Sequence, residues 1–207
     1  MNNSMQESKW SENVILVDAD YVDQVAFNLI VNFERMLERP VPRADLARWL
    51  ECVALDGGLR PAADGDTQVV LVHSKGREQL QHFAPSRFAD ELHGKAFTGQ
   101  LGEFLLSAYP VEEIADGADF FVEALQLIAG QKEVKRLMVV PNAEQGDIYN
   151  KVCQALRRVD DDGKRITVFA MQPMAGGNFR QEILGYSLLV ALGISADEIN
   201  RKSQMAK

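Results

Sequence analysis

A chain of 207 residues, 46% hydrophobic and 25% charged, carries enough apolar material for one packed domain. No stretch approaches the ~20 consecutive apolar residues of a membrane span, and the polar start from Met1 to Glu12 lacks the apolar core of a signal peptide. A formal net charge of −8 argues against coating nucleic acid non-specifically, where Lys and Arg neutralise phosphates.

The expectation is a soluble, cytoplasmic protein without a membrane partner. Residues 1–12 read as a flexible tail and residues 13–207 as a single α/β domain. Val14 to Val17 form a solid apolar run, read as a strand buried on both faces and running directly into Asp18 and Asp20. A helix is predicted from Val22 to Leu37, where Val25, Leu29, Phe33 and Leu37 recur at a spacing of four. Pro40 and Pro42 end it. A second helix follows from Arg43 to Leu55, stopped by Gly57-Gly58. Its Cys52, and Cys153 further on, show no metal-binding spacing and read as reduced thiols.

Residues 60–67 read as a loop, and Gln68 to His73 as the second strand. A short helix is expected from Arg77 to His82, and an irregular segment from Phe83 to Leu101. The third strand spans Glu103 to Ala108 and a helix Gly117 to Ala129. The fourth strand spans Arg136 to Val140 and a helix Asp147 to Arg158. Asp160 to Gly163 read as a turn, and Ile166 to Met171 as the fifth strand. A glycine-rich loop, Met174 to Asn178, leads into a last long helix from Phe179 to Leu192. Strands alternating with helices imply a three-layer α/β/α fold around a mainly parallel, roughly five-stranded sheet of Rossmann-like or PIN-like type.

In a parallel sheet the strand exits share one edge, where such folds place their ligands. That edge offers Asp18 and Asp20, then Ser74 and Lys75, then Asp147 after the fourth strand, with Asp119 just inside the first turn of the helix that starts near Gly117, after the third strand. The loop before the last helix adds Gly177, Asn178 and Arg180. Crowded carboxylates repel unless a cation neutralises them, and hard oxygen ligands suit Mg²⁺ or Mn²⁺. Asp18, Asp119 and Asp147 are therefore the candidate metal ligands, and with Asp20 the candidate catalytic set. Such a metal polarises a phosphoryl oxygen and activates water. Ser74, Lys75, Gly177, Asn178 and Arg180 are the candidate substrate contacts. The partner this chemistry implies is RNA or a phosphorylated small molecule.

The order of elements resembles the PIN-like fold, and within it the NYN family of ribonucleases. Val-Ile-Leu-Val-Asp is similar to that family's first strand and acid. Ala118-Asp119-Phe120 is similar to its helix-borne acid, and Gly146-Asp147-Ile148 resembles the end of its Ser-Gly-Asp-x-Asp-Phe segment. The resemblance implies a metal-dependent ribonuclease or phosphodiesterase. The first acid of that segment is absent, with Pro141 to Gln145 in its place, and Asp20-Tyr21 replaces an expected Asn. These departures describe a degenerate site.

Two other readings stand beside it. One is a non-catalytic α/β assembly or regulatory protein, with homo-oligomerisation through the apolar C-terminal helix carrying Tyr186, Leu188, Leu189 and Val190. The other is a haloacid-dehalogenase-like phosphatase. Val-Asp-Ala-Asp-Tyr-Val resembles that family's first motif, which implies Asp18 as nucleophile and Asp20 as general acid/base. Val-Val-Leu-Val-His-Ser resembles its second.

Overall fold

The structure, a computed structural model, describes residues 5, 9–61, 65–112, 117–159 and 163–205. The turn expected over Asp160 to Gly163 lies outside the described residues except at Gly163, as does the N-terminal stretch except at Met5 and from Lys9 onward. Where that stretch is described it is anchored: Met5 and Trp10 are buried in the core. The Glu12 carbonyl accepts from the backbone N–H groups of Lys135 and Arg136.

A seven-stranded sheet forms the middle layer, in the order β5-β6-β3-β1-β7-β8-β9. Its members are β1 (Asn13–Asp18), β3 (Thr67–Ser74), β5 (Lys95–Gly99), β6 (Gly102–Val111), β7 (Arg136–Val140), β8 (Arg165–Ala170) and β9 (Arg180–Ile183). All neighbours are parallel except β5 and β6, which form a hairpin. Two-residue strands β2 (Ala44–Asp45) and β4 (Phe83–Ala84) pair separately. The mainly parallel three-layer fold expected from the sequence is thus the observed one, with two more strands in the sheet than expected.

β1 is central because every residue from Asn13 to Val17 is buried, which suits a strand covered on both sides. Ile15 and Val17 face α1 (Ala19–Leu37), α2 (Leu46–Asp56) and α5 (Leu184–Ala191). Val14 and Leu16 face α3 (Gly117–Ala129) and α4 (Ile148–Leu156). The Trp49 indole N–H donates to Ser187 Oγ at 3.1 Å, fixing α2 against α5 inside the first layer. α6 (Ala196–Met205) closes the chain, tied to the end of α1 by Arg39–Glu198 and Lys202–Glu38 ion pairs. Among the described residues, no helix is long and apolar enough to cross a membrane.

Several expected elements differ. α1 starts at Ala19, three residues early, because Asp18 caps it by accepting from the Tyr21 N–H at 3.0 Å. α2 starts at Leu46 because Asp45 caps it while Ala44 pairs with Phe83. The helix expected from Arg77 to His82 does not form. Asp23 on α1 accepts from the backbone N–H groups of Gln81 at 3.1 Å and His82 at 2.8 Å, which holds this segment in a non-helical path. The stretch from Phe83 to Leu101 contains β4, a single π-helical turn (Phe88–Leu92) and β5. The long helix expected from Phe179 begins only at Leu184, because Arg180–Ile183 completes the free edge of β8. In α5, Leu184, Leu188 and Ala191 are buried, while Tyr186 is 69% and Val190 38% exposed.

Candidate functional site

From β1 the chain moves to β3 and β6 on one side, then crosses back to β7, β8 and β9 on the other. The strand order reverses between β1 and β7, and a crevice opens outside the carboxyl ends at such a switch point. A cleft of about 700 Å³ lies there. Asp18, Asp20, Tyr21, Ser74, Arg77, Glu144, Asp147 and Lys151 are among its walls.

Asp18 ends β1 and begins α1. Burial pushes its carboxyl up to about 6, the nearby Asp20 carboxylate adds to the rise, and the Tyr21 N–H opposes it. Asp20 sits in the first turn of α1. Its Oδ2 accepts from the Ser74 N–H at 2.8 Å and from the Ser74 hydroxyl, and its Oδ1 lies 3.5 Å from the Arg77 guanidinium. Arg77 also approaches buried Asp23 at 3.6 Å. The Tyr21 hydroxyl donates to Glu144 at 3.0 Å, so one hydrogen bond bridges the switch point from α1 to the loop after β7. Burial and the Glu144 charge both hold the Tyr21 phenol above its usual range.

His73 lies in the same wall, stacked on Phe88 with ring centroids 3.7 Å apart. Its Nδ1 is 3.0 Å from the Ser74 carbonyl, which only accepts, so Nδ1 carries the proton and Nε2 keeps a lone pair. Burial lowers the imidazole pKa, which favours the neutral ring.

The remaining predicted site residues divide. Asp147 lines the cleft and accepts from Asn150 Nδ2. Asp119, in the first turn of α3, is ion-paired with Lys151 at 2.6 Å and is 58% exposed at its side chain. Among the described residues, no three His, Cys, Asp or Glu side chains are placed to share one metal ion. Ser74 is in the cleft, but its hydroxyl serves Asp20. Lys75 turns away to pair with Glu112 and lines a neighbouring hollow with Arg87 and Tyr109.

Gly177, Asn178 and Arg180 are not at this site. Their loop leads into a strand and not a helix, so it presents no helix N-terminus to a phosphate. Instead the Gly176 carbonyl accepts from Gln181 Nε2 at 3.3 Å, and the loop folds onto its own strand. Arg180 stands level with Thr167 and, through β7, with Ile15 deep in the sheet. Gly177 has φ +94°, and a Cβ there would stand 2.4 Å from the Phe179 ring. Gly177→Ala is therefore expected to cost about 1–3 kcal/mol in chemical denaturation, through left-handed backbone strain and the clash. It should leave the cleft unaltered.

Tyr21, Arg77 and the His73–Phe88 stack were not foreseen as site features. Tyr21 follows Asp18 by three residues, which on a helix places it one turn along, and that spacing was the available signal. A family model described as a family of unknown function (DUF6621) matches residues 7–199. No curated protein and no solved structure matches the chain.

Proposed function

The chain belongs to the DUF6621 family, and on that premise we propose that it is a PIN/NYN-like α/β domain serving as a non-catalytic recognition module. The observation that carries this reading is that the acids are engaged separately. Asp119 is paired with Lys151, Asp20 is held by Ser74 and Arg77, and Asp147 accepts from Asn150. A metal-dependent nuclease needs its carboxylates to converge on one ion. Here neither Asp18 nor Glu144 forms an ion pair among the described residues, although the Arg77 charge reaches Asp18, and the two stand on either side of the switch point. Such a cleft suits a ligand presenting cationic or hydrogen-bond-donating groups, as a regulatory partner would. The phosphatase reading has less support, because the Asp20 carboxylate is already held by Ser74 and Arg77 and not free to move a proton.

A second reading, a Mg²⁺- or Mn²⁺-dependent ribonuclease, is favoured by placement. Asp18 ends the first strand, Asp119 opens the helix after β6 and Asp147 precedes α4, the elements on which the NYN resemblance expects them. Isothermal titration of Mn²⁺ and Mg²⁺ into wild type and Asp18→Asn separates the two. The recognition reading expects no binding tighter than about 1 mM. Binding below about 100 µM that disappears in Asp18→Asn would replace it with the nuclease reading.

A further inference from the structure

Three consecutive parallel strands open on arginine: Arg136 in β7, Arg165 in β8 and Arg180 in β9. The register sets Arg136 opposite Arg165, and Thr167 opposite Arg180. Side chains alternate faces with a period of two, so Arg165 and Thr167 share a face, and their register partners share it with them. It is the face of Met138 and Phe169, beneath α2. Arg60, just beyond the end of α2, joins them. The four arginines line a hollow of about 510 Å³ together with Thr167 and Gly57-Gly58; Arg60, Arg165 and Arg180 are exposed and Arg136 is half-buried.

Part of this arrangement serves the fold. Arg136 Nη1 donates to the Gly57 carbonyl at 2.7 Å, and Arg60 Nη1 to the carbonyls of Leu55 at 3.1 Å and Leu59 at 2.9 Å. These contacts satisfy backbone acceptors at the negative end of α2. Arg180 is paired with Glu182. Those roles leave much unexplained. The Arg165 guanidinium has no hydrogen-bond or ion-pair partner among the described residues. Arg136 Nε is buried without an acceptor. Like charges directly opposite on paired strands are unfavourable, yet Arg136 and Arg165 are so placed in a chain of net charge −8. Burial lowers the Arg136 pKa, and Arg165 and Arg60 lower it further.

We propose that this cavity is an anion site for the diphosphate group of a small phosphorylated ligand. Guanidinium forks match phosphate oxygens in pairs and are less strongly hydrated than ammonium groups. The arginines stand at two levels, since Arg180 is two residues further along the strands than Arg136 and Arg165. That separation of about 7 Å spreads the donors over two adjacent phosphoryl groups and not one. The site is separate from the switch-point cleft and does not depend on the reading given for it.

The test is calorimetric titration of inorganic pyrophosphate into the 207-residue protein at low salt. Wild type should bind with a dissociation constant below about 1 mM, weakening steeply as salt rises. Arg165→Gln, which removes no structural hydrogen bond, should weaken binding by about tenfold or more. Arg165→Glu should abolish it while raising the melting temperature, because the new carboxylate faces Arg136 across the strands. That opposite response separates loss of a site from loss of the fold. No binding by wild type at about 5 mM pyrophosphate, or equal affinity in wild type and Arg165→Glu, would overturn the proposal.

Discussion

Asp18→Asn should stabilise the protein by about 2–3 kcal/mol at pH 8 and leave its stability nearly unchanged at pH 4. The carboxyl titrates near 6 in the folded protein and at 3.8 in its ordinary state. A folded-state pKa above the unfolded value means that folding favours the protonated form. The stability contributed by that proton is present below about pH 4 and is lost as pH rises through 6. An asparagine never ionises, so it escapes the loss. It also caps helices as well as aspartate does, so the bond from the Tyr21 N–H should survive. Urea denaturation of both proteins at pH 4 and pH 8 measures the difference directly. An equal offset at the two pH values would show that the ionised carboxylate is not the source. A carboxylate that weakens the fold at neutral pH, at the mouth of a cleft, has the energetic profile of a group kept for binding or chemistry.

The second large effect belongs to Asp23→Ala, expected to cost about 3–5 kcal/mol. Asp23 is 2% exposed and accepts two hydrogen bonds from one segment, with two basic groups nearby. The backbone N–H groups of Gln81 and His82 donate to it, and Arg77 and the His82 ring approach within 3.6 Å and 3.4 Å. Removing it strands two backbone donors and loosens the path that delivers Arg77 to Asp20. Asp23→Asn keeps one acceptor oxygen and should fall between the two. Denaturation midpoints give the size of the effect, and amide exchange at Gln81 and His82 locates it. Unchanged protection of those two amides in Asp23→Ala would contradict the assignment.

These residues also mark what the sequence could and could not disclose. β1, β3, β7 and β8 are legible because solid apolar runs are what a doubly covered strand requires. β9 is not, since Arg-Gln-Glu-Ile has no apolar run, and its pairing comes from the free edge of β8, supplied from elsewhere in the chain. The segment after Ser74 reads as a helix until Asp23 takes its backbone donors from 58 residues away. Asp18, Asp20, Ser74 and Asp147 line the cleft, and their position near strand exits was readable because a strand exit is a local feature. Arg180 was misplaced because its position turns on whether a helix or a strand follows the glycine loop. The Tyr21–Glu144 bond spans 123 residues and has no local signature. The arginine cluster becomes visible only once three strands are known to be parallel.

Six parallel strands give the sheet a direction, and a hollow at each end is lined by charge of different sign. Asp18, Asp20, Glu144 and Asp147 outnumber Arg77 and Lys151 at one end, while Arg60, Arg136 and Arg165 lie toward the other with no carboxylate in ion-pair reach among the described residues. The two hollows therefore attract opposite charge. Within the ~10 Å over which charge is felt at 0.1 M salt, a cationic surface draws the cleft inward and masks it. An anionic surface draws the arginine end instead and leaves the cleft facing solution.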